Sequence, residues 1–304
     1  MNRWLNLIAL LAILLPVAAV EQALALECQP LPSREVSAVE LSRFDEGLIW
    51  ELISPTGGKN LIVGTMHIGD ARVMAVANKA VPLIDQYTAF AIEVVLDGSA
   101  MLQLQTSMFF TDGNNLESLV GAELFADTAK RIARYGVPDA LLRQMKPWAV
   151  FTTLSLPSGQ SNVPMDIQLM GQAQAKGLDI RGLETVAEQV DIFESISVDD
   201  QVQMLRETVC HYETVQAELE SMIKLYGTED LTGLYRLSMR HVVDHRESFM
   251  DALLWERNEK MFARLRDDAR DGGWFIAVGA LHLAGTRGLL EMFEQDGFEV
   301  RRLR

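Results

Sequence analysis

Two short apolar runs in this chain end in the same device. Leu61-Ile62-Val63 leads into Gly64-Thr65-Met66-His67, and Trp274-Phe275-Ile276-Ala277-Val278 leads into Gly279-Ala280-Leu281-His282. Short apolar runs of this kind read as buried strands. Glycine lets the backbone leave a strand tightly, and an imidazole follows three residues later. In an open α/β sheet, ligands bind outside the carboxyl ends of the strands, so two such exits bring two histidines to one crevice. A single Gly-x-x-His reads equally as a satisfied polar group on a strand-to-helix turn. Its recurrence carries weight because only five histidines have to be placed.

The remaining pattern builds a sheet around these exits. The run 48–53 and the run 60–63 flank Ser54-Pro55-Thr56-Gly57-Gly58, which predicts a hairpin. Apolar spacing predicts a helix over 73–86. Ala89-Phe90-Ala91-Ile92-Glu93-Val94-Val95 reads as a strand buried on both faces, interrupted by one acid. Such an acid is costly unless paired, protonated or bound to a cation; alternatively it sits at the strand end and reaches solvent. Residues 99–155 read as a large helical insertion, and 178–185 as a short strand that ends in Gly182-Leu183-Glu184. A single helix is expected over 199–226. The helical stretch 231–270 contains His241 and His245 at a spacing that can bind a metal or simply decorate a solvated face. A helix over 285–296 and a strand over 298–303 close the chain. The fold class is α/β: a central mixed, mostly parallel sheet flanked by helices.

The first 25 residues are set apart. Met1-Asn2-Arg3 is a basic start, an apolar run follows to Val20, and Ala23-Leu24-Ala25 offers a cleavage site. This is the order of a secretory signal peptide, and the rival reading is an uncleaved anchor. A lipoprotein is disfavoured because Glu27, not a small residue, precedes Cys28. Residues 26–304 then form one domain, with no later segment long and apolar enough to span a membrane. Export to the periplasm makes a bond between the only two cysteines, Cys28 and Cys210, permissible. Net charge of −15 argues against nucleic acid or an anionic membrane as partner.

Taken in order, Gly64-Thr65-Met66-His67, Glu93, Gly182-Leu183-Glu184-Thr185 with Glu188-Gln189, Glu256-Arg257-Asn258 and Gly279-Ala280-Leu281-His282-Leu283-Ala284-Gly285 resemble the TraB/GumN family, which includes the TIKI metal-dependent proteases. The resemblance implies a fold like those of erythromycin esterase and the haem-uptake ChaN-like proteins. It also implies that His67, Glu93 and His282 hold a divalent metal ion, with Glu184, Arg257 and Asn258 around them as catalytic residues. Manganese, cobalt and zinc all suit two imidazoles and a carboxylate; TIKI tilts towards manganese or cobalt. Glu184 is then expected to take a proton from water, and Arg257 to stabilise an oxyanion.

The expected function is metal-dependent hydrolysis of a peptide or other acyl bond. Two rivals stand beside it. In a metal-free hydrolase, His67 acts as general base with Glu93 orienting it. In a non-catalytic or chaperone-like protein, the same crevice binds a peptide, haem or metal. Substrate and oligomeric state are not written in the sequence.

Overall fold

The computed structural model describes residues 26–159, 162–242 and 245–303, so the expected signal peptide lies outside them. A six-stranded sheet runs in the order β4-β3-β5-β2-β1-β6. Strands β1 (Ile49–Ile53) and β2 (Lys59–Thr65) form the expected antiparallel hairpin, Ile49 opposite Val63. Its turn closes through Ser54 N–H to Gly58 O at 2.8 Å, with Gly57 at φ +91°, a conformation glycine adopts without steric cost. Strands β3 (Ala89–Val94), β4 (Asp179–Glu184) and β5 (Trp274–Gly279) run parallel to one another, and β5 runs parallel to β2. Strand β6 (Glu299–Arg302) pairs antiparallel with β1 at the edge. The sheet is therefore mixed and mostly parallel.

Helices fill the connections. Helix α1 (Ala71–Ala80) tightens into a 3₁₀ segment, Val81–Gln86, at Pro82, which has no amide to continue the α ladder. The long β3-to-β4 connection carries α2 (Gly98–Ser107), α3 (Leu116–Val120), α4 (Ala122–Ile132), α5 (Asp139–Leu142), α6 (Pro147–Leu154) and α7 (Met165–Ala175). From β4 to β5 run α8 (Val186–Glu194), α9 (Val198–Cys210), α10 (Tyr212–Gly227), α11 (Leu231–Met239) and α12 (His245–Met250). A π-turn, Asp251–Trp255, then leads into α13 (Glu256–Asp271). Helices α14 (Ala280–Leu283) and α15 (Leu289–Gln295) precede β6. Two hydrophobic cores result. One packs helices on the sheet around Leu61, Ile62, Phe90 and Phe275. The other is the expected helical insertion joined by α9, around Leu124, Trp148, Phe151 and Leu205.

Two helical expectations need correction. The single helix over 199–226 is broken at His211, which sits at φ −108°, ψ 25°. The break lies beside the disulfide from Cys210 to Cys28, with Cα atoms 5.6 Å apart, and His211 Nε2 contacts the Gln29 carbonyl at 2.8 Å. The amino-terminal segment is thus pinned to the α9–α10 corner.

The stretch 231–270 is likewise not one helix. The Arg240 carbonyl accepts from the Arg34 amide at 2.8 Å, ending the ladder that would have carried His241 onto a shared face with His245. His241 instead bridges the Pro32 carbonyl and the Glu218 carboxylate. Among the described residues no helix is long and apolar enough to cross a membrane.

Candidate active site

All four parallel strands deliver a polar side chain near their carboxyl ends. His67 follows β2, Glu93 lies in β3, Glu184 ends β4, and His282 lies in α14 just after β5. Because β5 inserts between β2 and β3, the two Gly-x-x-His exits are spatial neighbours. Neither of their glycines has a positive φ, so the expected reason for them is wrong: they are needed for space. A Cβ on Gly64 would lie 2.9 Å from Leu283 Cδ1 and 3.1 Å from Ala280 Cα of the other exit. A Cβ on Gly279 would lie 3.2 Å from Glu93 Oε1, 3.5 Å from His282 Cδ2 and 3.8 Å from His67 Nε2.

The two imidazoles converge on one oxygen. His67 Nε2 and His282 Nε2 each lie 3.8 Å from Glu93 Oε1. Their other ring nitrogens are occupied. His67 Nδ1 is 3.2 Å from Asp166 Oδ2, and His282 Nδ1 is 2.7 Å from Asn258 Oδ1. A carboxylate only accepts, so His67 Nδ1 carries a proton. Asn258 Nδ2 donates to the Arg287 carbonyl at 2.9 Å, which turns its Oδ1 towards His282 and assigns that Nδ1 as the donor as well. In the neutral rings both Nε2 lone pairs therefore face Glu93. Metal-ligating histidines are oriented in this way, through the ring nitrogen not bound to the ion. Among the described residues no three His, Cys, Asp or Glu groups are already drawn together as ion ligands. The donor set nevertheless fits a divalent cation chemically: two imidazole nitrogens of assigned tautomer and one carboxylate oxygen.

Glu93 is anchored from every side. The Gly279 amide donates to Oε1 at 2.6 Å, while Arg257 Nη2 at 2.5 Å and Gln189 Nε2 at 3.4 Å reach Oε2. Arg257 also grips Glu184 through Nε at 3.0 Å and Nη2 at 2.6 Å. The π-turn directly precedes Arg257 and Asn258; such irregular turns recur at functional sites. These consecutive residues serve different partners, the carboxylates and His282.

The charges do not balance. Glu93 and Glu184 share the Arg257 guanidinium and Asp166 pairs with His67, so three carboxylates meet a single permanent cation and the site is short of positive charge. Burial would raise the Glu93 carboxyl, but the neighbouring imidazoles, Arg257 and the Gly279 amide hold it well below the usual carboxylate range. The His67 side chain keeps 55% of its surface accessible, yet that surface opens into a cleft walled by protein. Partial desolvation there lowers its pKa, and the Asp166 hydrogen bond and the charge of Glu93 overcome this and raise it to about 9. His282 is buried, and burial lowers it to about 4 despite Glu93.

All six residues expected from the sequence, His67, Glu93, His282, Glu184, Arg257 and Asn258, thus meet in one cluster. Glu184 is buried in its pairing with Arg257 instead of facing open space. Glu93 faces the Nε2 side of His67, and the residue on Nδ1 is Asp166. Asp166 was not singled out from the sequence. It reaches His67 because the 162–165 loop is tied to the 68–69 turn, by Met165 N–H to Ile68 O at 3.3 Å and Asn162 Nδ2 to Gly69 O at 3.1 Å. An acid in the first turn of an apolar helix was the only local signal, and it is a common one.

Three cavities of about 250 to 280 Å³ open on His67. No solved structure matches this chain. The chain is 24% identical over 189 residues to metalloprotease TIKI2 of Xenopus tropicalis, covering 52% of this chain but 36% of the relative. It therefore spans well under half the length of that protein. The model of the TraB/PrgY/gumN family matches residues 48–302, from the start of the first hairpin to the last strand. The chain belongs to the TraB/PrgY/gumN family.

Proposed function

We propose that this chain is an exported, periplasmic hydrolase of peptide or other acyl bonds that works with a divalent metal ion. The observation that carries the reading is the convergence of His67 Nε2 and His282 Nε2 on Glu93 Oε1, with both Nδ1 atoms taken by acceptors. His67, Glu93 and His282 would hold the ion, which would supply Lewis-acid polarisation of a carbonyl and a more acidic bound water. Manganese, cobalt and zinc suit this set. The shortage of positive charge among three carboxylates favours a cation there.

The chain's own residues divide the work. Asp166 and Asn258 orient the two imidazoles. Arg257 lines one cavity and places positive charge where a carbonyl oxygen gains electron density. Glu184, with both oxygens engaged by Arg257, holds that guanidinium in place, so we assign it a positioning role in preference to proton transfer. Hydrolysis adds water across the bond: C–O forms, the bond to the leaving group breaks, and the leaving group takes the proton. The similarity to a metalloprotease and the disulfide, a feature of oxidising compartments, support the reading.

The test is hydrolysis of a mixed peptide substrate by the mature protein with added Mn²⁺, Co²⁺ or Zn²⁺. Turnover that needs the ion and is lost in His67→Ala and His282→Ala is expected. Turnover undiminished by chelator and by His282→Ala would remove the metal from the reading. Metal binding without hydrolysis of any substrate would leave a binding protein.

A further inference from the structure

We infer that Arg287 is a positioning residue of the site: its guanidinium spans the π-turn that delivers Arg257 and Asn258, and its carbonyl fixes Asn258 beside His282. This rests on the hydrolase reading and adds to it a residue that acts through others. Asn258 donates from Nδ2 to the Arg287 carbonyl at 2.9 Å and accepts at Oδ1 from His282 Nδ1 at 2.7 Å. The orientation of His282 therefore depends on where that carbonyl stands. The turn that carries it is closed by Gly288 N–H to Gly285 O at 3.0 Å, and is held to the amino-terminal lead-in by Thr286 N–H to Glu40 O at 3.1 Å.

From this turn the Arg287 side chain covers both ends of the π-turn. Its Nη1 lies 2.7 Å from Asp251 Oδ1, and its Cζ sits 4.8 Å from the centre of the Trp255 ring. Asp251 and Trp255 are the first and last residues of the π-turn, and Glu256 N–H donates to Asp251 O, five residues back. Inside it the Leu253 carbonyl accepts from Arg257 Nη1 at 3.2 Å. The extra residue in the turn rotates everything after it by about 100° relative to an unbroken α-helix. Relaxation to a regular helix would swing Arg257 away from Glu93 and Glu184, and Asn258 away from His282. A planar cation that pairs with the first residue of the turn and stacks on the last opposes that relaxation. The side chains of Arg287 and Asp251 keep 51% and 43% of their surface accessible, so the pair adds little to global stability. Its effect is local: it ties the carbonyl that Asn258 needs to the turn from which Asn258 emerges.

The test compares Arg287→Ala, Arg287→Lys and Asp251→Asn with the wild-type mature protein. Exchange of the Asn258 side-chain amide protons with solvent is followed by NMR in the metal-free protein, and Mn²⁺ affinity is measured by titration calorimetry. Arg287→Ala should speed Asn258 amide exchange and weaken Mn²⁺ binding by about fivefold, with little change in the denaturant midpoint. Arg287→Lys keeps a cation against Asp251 without the plane that stacks on Trp255, and should restore part of both losses. Asp251→Asn should act like Arg287→Ala, and the two together should add little to either alone. Unchanged Asn258 exchange in Arg287→Ala would overturn the inference and leave the hydrolase reading standing. Faster exchange spread evenly over the whole backbone would also overturn it, since Arg287 would then serve stability alone. If the wild-type protein binds no Mn²⁺, the hydrolase reading loses its metal, and Asn258 exchange in the metal-free protein still decides the role of Arg287.

Discussion

The Gly279 amide donates to Glu93 Oε1 at 2.6 Å, so the oxygen that both imidazoles face is held by the strand that delivers one of them. The carboxylate is stationary because β5 lies between β2 and β3. Glu93 is therefore a fixed point of the sheet edge, and the histidines are arranged about it.

Metal affinity should follow this geometry. His67→Ala, Glu93→Gln and His282→Ala should each abolish Mn²⁺ or Zn²⁺ binding measured by titration calorimetry. Asp166→Asn and Asn258→Ala should weaken it by roughly 10–100-fold, the usual effect of removing an orienting partner. His241→Ala should change nothing, since His241 ties the amino-terminal segment to Glu218. Equal binding by wild type and His282→Ala would refute the assignment.

Gly279→Ala separates space from flexibility. Its φ is −53°, which alanine accepts, but the new methyl group meets Glu93 Oε1 at 3.2 Å. That carboxylate is clamped by Arg257 and cannot yield. The variant should lose thermal stability, as overpacking against a fixed group costs about 1–3 kcal/mol, and lose most of its metal affinity. Wild-type affinity would show that Glu93 is free to move.

The two site histidines should titrate on opposite sides of the ordinary imidazole value in metal-free protein. His67 is expected near 9 and His282 near 4, read from imidazole nitrogen shifts by NMR. The raised value of His67 contributes stability that is present below about 6.5 and lost as pH climbs through 9. The lowered value of His282 contributes stability present above about 6.5 and lost as pH falls towards 4. Metal-free stability should thus decline on both flanks. Two histidines titrating together near 6.5 would contradict the electrostatics described here.

Arg257→Leu should be the most destabilising single change in the cluster. It leaves Glu93 and Glu184 buried without their shared cation, a loss of about 3–5 kcal/mol for a broken buried pair. Denaturant unfolding measures it. Adding Glu93→Gln and Glu184→Gln should restore part of the loss; no restoration would mean that packing, not charge, is responsible.

Reduction of the Cys28–Cys210 bond, or the paired serine variant, should lower stability by about 4 kcal/mol through the long loop it closes. Thiol labelling of the unreduced, denatured chain should find no free thiol, and two per chain would contradict the bond.

Local chemistry made much of this protein legible in its sequence. The hairpin around Pro55-Thr56-Gly57, the strands carrying Glu93 and Glu184, and both Gly-x-x-His exits lie where apolar runs and turn residues put them. His67, Glu93 and His282 could be named because strand ends in a parallel sheet share one edge. What was not legible depends on bonds between distant segments. The breaks at His211 and after Met239 come from the amino-terminal lead-in, through Gln29 and Arg34, although the apolar spacing runs on without interruption. Asp166 joins His67 only because two loops pair. Gly64 and Gly279 are small because another segment approaches them, not because their own backbone demands it. Periodicity records which face of a segment is apolar; which carbonyl, carboxylate or methyl group meets that segment across the fold is decided only when the strands take their order.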